Sequence, residues 1–290
     1  MTPISPTVAR WELFERLRRR QTELGITGPT IAKRLGYATT YWPKIEKEQR
    51  VLTEEKLKLL IELLELDGEE QDELLSLRAI AKGRGWWDEY AGLFNEQQMR
   101  LWGLEYGAEE ISTFESLLIP GLLQTEDYAR HLITSDSVFI RKPEVRQRVA
   151  ARMRRQERLD EPDALRLAAV VSEAALHQQI GNPVILREQL QHLIGVINSH
   201  SDTLDIRILP YTSPSGAILG GAGFHILDFP GPKVSPLAWH ESAVVGEVIE
   251  DPTQIDNLTT VFGHAQSQAL DQQESLALIE QAAAELGSAS

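Results

Sequence analysis

Residues 27–50, TGPTIAKRLGYATTYWPKIEKEQR, hold two short helical patterns separated by a glycine. Thr27 and Pro29 are typical of a helix start and Gly36 of a helix end, so TIAKRLG predicts one short helix. Pro43 stands inside the second pattern, and a proline in a helix interior costs about 3 kcal/mol. Whether Pro43 breaks the second helix or only moves its start decides how this stretch folds.

Two threonines upstream of Pro43 offer an answer. If Thr40 caps the helix, Pro43 falls in the first turn, where its missing N–H has no intrahelical partner in any case. Thr39 is a second candidate cap, and the helix could begin as late as Pro43, because the residue before a proline avoids helical angles. The proline therefore shortens the helix without abolishing it.

The flanking segments are also helical. Residues 9–24 carry apolar residues close to a helical period before Gly25, and a capping-type start at Thr53 opens the amphipathic EEKLKLLIELLEL. Four or five short helices in about 60 residues, with a glycine between the second and third, form helix-turn-helix architecture. On LRRRQTELG, IAKRLG and KIEKEQR, the sequence resembles the lambda-repressor-like, or Xre-type, DNA-binding family over roughly residues 10–67.

That resemblance implies which residues touch DNA. Thr39, Thr40, Tyr41 and Lys44 are expected to face the major groove, with Arg50 and either Lys33 or Arg34 on phosphates. Gly28 stands where the family has a glutamine that touches a phosphate or base, so specificity would lean on dimer spacing and DNA shape. Trp42 and Ile45 are expected in the core, and Glu46 is expected to pair with an arginine.

Charge is distributed unevenly along the chain. The formal net charge is −14, whereas residues 10–58 hold 12 Lys/Arg against 7 acids, or +5, and the remainder holds 17 against 36, or −19. This asymmetry indicates a basic module that approaches phosphates and an acidic body that does not. The alternative is a helical surface that is basic without a nucleic-acid partner.

Composition excludes several classes of protein. The chain has no cysteine, which excludes disulfides, thiolate zinc sites and cysteine nucleophiles. No apolar run approaches the roughly 20 residues that span a bilayer, and the N-terminus lacks the features of a signal peptide. We therefore expect a cytoplasmic protein with no membrane partner.

The rest of the chain predicts an α+β domain. LDIRILP and GFHILDF alternate apolar and polar residues as half-buried strands do, and NPVILREQLQHLIGVINSH has the period of a helix. We expect helices around a small mixed or antiparallel sheet. A linker near residues 81–85 divides the chain into a mainly α domain, 1–82, and the α+β domain, 86–286.

A second resemblance covers about residues 86–286. WWDEY, PGLLQTEDYAR, ARMRRQERL and ILPYTSPSGAILGGAGFHILDF occur in that order and are similar to the C-terminal domain of a large actinobacterial group of Xre-type regulators. The resemblance implies a regulator associated with a small partner protein encoded nearby, in an antitoxin-like arrangement. From the residues alone, PGLLQTEDYAR predicts a strand or loop leading into a helix capped at Thr125, and it need not be a binding site.

Three features of this domain are candidate binding sites. Trp86 and Trp87 follow the linker and either pack as core residues, the simpler interpretation, or line a ligand or partner site. A pocket near His225, beneath the glycine-rich turn at residues 216–224, is a candidate effector site. Residues 141–158 hold 8 basic residues and 2 acids, which indicates either an anion site or, more simply, a helix that pairs with the acidic body.

The motifs that would establish catalysis are absent. GAILGGAGF lacks the Gly-Lys-Ser/Thr ending of a phosphate-binding loop, WHES lacks the second histidine of a helical zinc motif, and YTSPSGA lacks the flanking glycine of a nucleophile elbow. The sequence therefore predicts no enzyme, no metal and no cofactor.

The sequence as a whole predicts a repressor-like, sequence-specific transcription regulator that is dimeric on double-stranded DNA. Its second domain would bind a small-molecule effector or dock a small partner protein. One alternative is an antitoxin-like interaction module with weak DNA specificity. Another is a small-molecule enzyme that carries a helix-turn-helix.

Overall fold

A computed structural model of the chain describes residues 2–47, 50–135, 140–160, 163–214, 221–231, 233–242 and 246–288. These residues form two compact units. The first comprises Pro3–Asp88 with Pro230–Ser235, and the second is built mainly from Glu89–Phe229 and Pro236–Ser290. No helix within the described ranges is long and apolar enough to cross a bilayer.

The described part of the first unit contains five α-helices around one apolar core. They are α1 (Pro6–Glu23), α2 (Gly28–Arg34), α3 (Trp42–Lys47), α4 (Glu54–Leu63) and α5 (Gly68–Ala81). Trp42 and Ile45 lie in this core, each 2% exposed. Glu46 pairs with Arg18 of α1 at 3.6 Å. The structural roles predicted for these three residues of α3 are thus confirmed.

Local sequence signals account for most of the helix ends. Thr53 caps α4 by accepting a backbone N–H three residues ahead at 3.3 Å. Gly25 and Gly36 follow α1 and α2 with φ of 62° and 69°, a conformation that glycine adopts without strain. Thr27 precedes α2 as predicted, but its hydroxyl lies 2.9 Å from that of Thr30 and does not cap the backbone.

The second unit combines helices with a sheet, which confirms the predicted α+β class. Its elements are α6 (Glu96–Tyr106), β1 (Glu110–Glu115), α7 (Glu126–Ser135), α8 (Val145–Gln156), β2 (Arg166–Ser172), α9 (Ala174–His177), α10 (Pro183–Ser199), β3 (Leu204–Leu209), β4 (Phe224–Asp228), β5 (Leu237–Glu241), β6 (Gly246–Ile249), α11 (Pro252–Gln268) and α12 (Gln272–Ser288). The two strands predicted from alternation are β3 and β4.

The sheet is mixed and has the strand order β3-β2-β1-β4-β5-β6. β1, β2 and β3 run parallel, whereas β4, β5 and β6 continue the sheet antiparallel. One face packs aromatic and aliphatic residues of β1, β2, β3 and β4 against α11. The opposite face carries Thr113, His225 and Trp239, which are cross-strand neighbours in register.

Candidate nucleic-acid interface

The third helix accommodates its proline in the first turn. α3 begins at Trp42, so Pro43 is its second residue and lies in the first turn, where the sequence predicted it. The missing N–H of Pro43 therefore removes no intrahelical hydrogen bond. The first helical bond of α3 is accepted by the Tyr41 carbonyl at 3.1 Å. Tyr41 thus precedes the helix directly, and the expectation of a cap at Thr39 or Thr40 is wrong.

Most of the predicted DNA-contacting side chains reach solvent. The exposed members are Lys33, Arg34, Thr39, Thr40, Lys44 and Arg50, and Tyr41 is half-buried. Arg34 pairs with Glu62 of α4 at 2.5 Å. Exposed ion pairs of this kind contribute about 0–1 kcal/mol, so a phosphate oxygen can replace the carboxylate at little cost.

Two tyrosines and two cations form a row beside the start of α3. The ring centroids of Tyr37 and Tyr41 lie 5.1 Å apart in an edge-to-face arrangement. The Lys56 ammonium lies 3.4 Å from the centroid of the Tyr37 ring, and Nη1 of Arg50 lies 3.5 Å from the Tyr41 hydroxyl. We call Lys56, Tyr37, Tyr41 and Arg50 the cation–tyrosine row.

Half of this row was not predicted from the sequence. Tyr37 stands four residues before Tyr41, and that spacing is the one local signal that could have joined them. Lys56 comes from α4, and nothing near it in the sequence indicates that its ammonium covers the Tyr37 ring. Tyr37 is half-buried, and a cation over a ring near the surface stabilises the pair by about 0.5–1 kcal/mol.

Gly28 and Trp42 explain why a side chain is missing at the start of α2. A Cβ placed on Gly28 would lie 3.3 Å from Cδ1 of Trp42, and this indole is buried in the core. A glutamine at position 28 would have to displace the indole. The glycine and the tryptophan therefore fit one another.

Part of the basic charge of this unit serves packing. Arg16 is buried and pairs with Glu70 at 3.2 Å and with Glu73 at 2.8 Å. Arg10 donates to the carbonyl of Ala81 at 3.1 Å. The local excess of +5 therefore overstates the charge that faces solvent near α3.

The PGLLQTEDYAR segment connects β1 to α7 and is built into the protein interior. Thr125 caps α7 as predicted, since its hydroxyl lies 3.3 Å from the N–H of Tyr128. Gln124 is 2% exposed. Its amide donates to the Ile119 carbonyl at 2.7 Å and accepts from Nη1 of Arg152 at 2.6 Å. The glutamine of this motif thus positions an arginine of α8.

Two family profiles match the chain. One, described as a helix-turn-helix domain, matches residues 12–74. The other, described as a domain of unknown function, DUF5753, matches residues 98–281, more than half of the chain. The chain belongs to the DUF5753 family. Comparisons with curated proteins and with solved structures gave no significant match. The helix-turn-helix predicted from residues 27–50 is confirmed.

The basic segment of the DUF5753 domain, residues 141–158, pairs with acids of the same unit. Arg155 forms a bidentate pair with Glu105 at 2.8 and 2.7 Å, with side chains 10% and 6% exposed. Arg148 pairs with Glu144 at 3.1 Å. Arg152 differs, because within the described chain its single hydrogen bond goes to the neutral amide of the PGLLQTEDYAR glutamine. The predicted pairing with acids holds for these neighbours and fails at Arg152.

His225 of the DUF5753 domain is half-buried on β4. Its Nδ1 lies 2.7 Å from Oγ1 of Thr113. Burial, reinforced by the guanidinium of Arg155, lowers the pKa of His225 to about 4. The imidazole is therefore neutral at pH 7. The first part of the predicted glycine-rich turn, residues 216–220, lies outside the described residues.

Trp86 and Trp87 belong to the helical unit and His225 to the DUF5753 unit. The two tryptophans open a 3₁₀ turn, Trp86–Tyr90, with their rings edge-to-face at 5.9 Å. Trp87 is buried, and a Cβ on Gly85 would come within 2.2 Å of its ring. Trp87 packs as a core side chain over a glycine, which agrees with the simpler interpretation of this residue.

Proposed function

We propose that the chain is a sequence-specific transcriptional regulator that binds double-stranded DNA through its helix-turn-helix domain. The DUF5753 domain would then sense a small-molecule effector or dock a small partner protein. We further propose a repressor-like regulator of Xre type that acts as a cytoplasmic homodimer without a catalytic role. The observation that carries the proposal is the exposed turn and helix start at Thr39, Thr40 and Lys44, bordered by the cation–tyrosine row.

The chemistry of these side chains supports DNA binding. Lys44 can donate to O6 and N7 of guanine in the major groove, and the two threonine hydroxyls can pair with several base edges. Arg50 and Lys56 supply charge for phosphates on either side of the tyrosines, and such contacts fix the register of a protein on the duplex. Lys33 and Arg34 add charge at the end of α2.

The alternative is an antitoxin-like interaction module with weak DNA specificity. Two observations favour it. The described part of α3, Trp42–Lys47, has 6 residues, which leaves few positions there that can reach base edges. Gly28 removes the glutamine that the Xre-type family uses at the start of α2. Under this alternative, binding of a small partner protein would be the main function.

A fluorescence-anisotropy titration of the full chain decides between the two. The probes are the promoter region upstream of its own gene and a scrambled duplex of equal length and composition, each at two salt concentrations. The regulator proposal expects a preference of about 10³ or more for the promoter. Equal, weak and steeply salt-dependent binding to both duplexes contradicts it and favours the interaction module.

Two substitutions test the assignment of roles. Lys44→Ala should weaken operator binding by about 1–3 kcal/mol while leaving the scrambled duplex little changed, because a base contact acts selectively. Arg50→Ala should weaken both duplexes alike. Arg166→Ala, an exposed cation on β2, is the matched control and should bind as the wild type does. Wild-type affinity in both test variants would show that another surface contacts DNA.

A further inference from the structure

Four charged or polar side chains converge on the sheet face opposite α11, in the DUF5753 unit. Glu115 ends β1, Glu241 ends β5, His225 lies on β4, and Arg152 comes from α8. Glu115 shares its face with Thr113, the hydrogen-bond partner of His225. We call Glu115, Arg152, His225 and Glu241 the polar cluster.

Glu115 is half-buried, and its carboxylate has no hydrogen-bonding partner among the residues that the structure describes. Burial raises the pKa of Glu115 to about 7, with repulsion from Glu241 adding to the rise and Arg152 opposing it. A Cβ on Gly223 would lie 2.7 Å from Oε2 of Glu115. The carboxylate therefore rests against a bare backbone, where a larger residue than glycine would exclude it.

Arg152 is the matching unpaired cation. Burial, followed by the nearby charge of Arg155, lowers the pKa of Arg152 to about 10. No described carboxylate forms an ion pair with it, and one of its five N–H donors is used, by Gln124 at 2.6 Å. Arg155 differs from Arg152, because its guanidinium forms a bidentate ion pair with Glu105.

Glu115 and Arg152 influence each other electrostatically, but no ion pair joins them among the described residues. Even partial burial of an unpaired charge has a cost, and a direct ion pair would be the simplest way to reduce it. Gln124 instead holds the Arg152 guanidinium on the α8 side, while Gly223 receives the Glu115 carboxylate on the sheet side. Both side chains keep some accessible surface although burial dominates their surroundings. Charged groups with strongly shifted pKa values and no ion-pair partner are candidates for a ligand-binding role.

We propose that the polar cluster binds a small amino-acid-like zwitterion, whose carboxylate pairs with Arg152 and whose ammonium pairs with Glu115. The planar guanidinium suits a carboxylate because it offers two parallel donors. Glu241 adds negative charge on the ammonium side, and the neutral His225 contributes a hydrogen-bonding nitrogen beside them. That the ligand acts as the effector of a regulator rests on the proposed function, whereas its binding does not.

Isothermal titration calorimetry on the full chain without DNA tests the site. The probes are the proteinogenic L-amino acids, supplied singly, followed by the decarboxylated amine and the deaminated acid of any that binds. We expect the zwitterion to bind at least about 10-fold more tightly than either fragment, since each fragment lacks the charged group that pairs with Arg152 or with Glu115. No binding by any amino acid overturns the proposal, and so does a deaminated acid that binds as tightly as its parent.

Matched substitutions assign the binding to the polar cluster. Glu115→Gln and Arg152→Gln should each weaken binding on the order of 100-fold. Their controls are Glu110→Gln, on the same strand, and Arg154→Gln, on the same helix, and both should bind as the wild type does. If Arg152→Gln does not fold, Arg152→Lys serves in its place. The lysine keeps the positive charge but lacks the two parallel donors of the guanidinium, so it should bind the zwitterion about 10-fold more weakly than the wild type does. Wild-type affinity in folded Glu115→Gln overturns the proposal.

Failure of this site and failure of the regulator proposal are separate results. The calorimetry contains no DNA, and the anisotropy titration contains no amino acid. Operator binding without zwitterion binding leaves the regulator proposal intact and overturns the ligand site. Zwitterion binding without a preference for the operator leaves the ligand site intact and overturns the regulator proposal.

Discussion

Gly28 begins α2 without a side chain because the indole of Trp42 occupies the neighbouring space. A methyl group at this position would lie 3.3 Å from Cδ1 of that buried ring. We therefore expect Gly28→Ala to lower the free energy of unfolding by about 1–3 kcal/mol, the usual range for overpacking a core. Urea unfolding followed by far-ultraviolet circular dichroism measures this change.

Gly68 provides the matched control for this substitution. It is the first residue of α5, just as Gly28 is the first residue of α2, but a Cβ there meets nothing within 4 Å. Gly68→Ala should therefore be neutral or should stabilise the protein by up to about 1 kcal/mol, because alanine restricts the unfolded chain. Equal stability of the two variants would mean that the indole of Trp42 moves aside freely.

The short α3 helix depends on where its proline stands. Pro43 is the second residue of α3, so Pro43→Ala should change the unfolding free energy by less than about 1 kcal/mol. Lys47→Pro places the same residue at the exposed, last described position of the same helix, where an N–H is required, and should cost about 3 kcal/mol. Chemical denaturation of both variants checks the contrast. A loss as large for Pro43→Ala would show that Pro43 itself holds the turn.

Signals that act within a few residues made much of the helical unit predictable. Glycines, the cap at Thr53 and the proline placed the helix ends, since helix starts and stops depend on local backbone groups. Thr27 shows the limit of such signals, because its hydroxyl found a neighbouring side chain instead of the backbone. Lys56 over Tyr37, and Glu115 across from Arg152, could not be predicted. Their partners come from elements far apart in the chain, and the hydrophobic periodicity of each element does not predict which side chains of two elements come into contact.

At the scale of the whole molecule, net charge says little about where DNA can bind. The chain carries −14 overall, yet exposed cations and hydroxyls gather at α2, the following turn and α3. Some arginines counted in the basic segment serve packing: Arg16 is buried, and the half-buried Arg10 bonds a backbone carbonyl. A charge count from the sequence treats an arginine that serves packing and an exposed arginine alike. Only the position of each side chain in the folded protein distinguishes them.

The described part of the reading helix has 6 residues and covers few base pairs, so the proposed regulator needs a second copy to recognise a long site. In a symmetric dimer the two reading helices enter the major groove on one side of the duplex. The half-sites then lie about 10–10.5 base pairs apart, centre to centre, or a multiple of this. Once footprinting locates the operator, inserting about 5 base pairs between the half-sites turns one by half a helical turn.

That insertion should weaken binding by at least about 10-fold, because one protomer must release its half-site or the DNA must twist. An insertion of about 10 base pairs restores the facing of the half-sites and is the matched control, expected to recover part of the affinity. Anisotropy titrations of the three duplexes measure the differences, and sedimentation equilibrium gives the mass of the complex. Equal affinity for all three duplexes, with one 32.6 kDa chain bound, would show that a monomer binds and that specificity must come from α3 and the cation–tyrosine row alone.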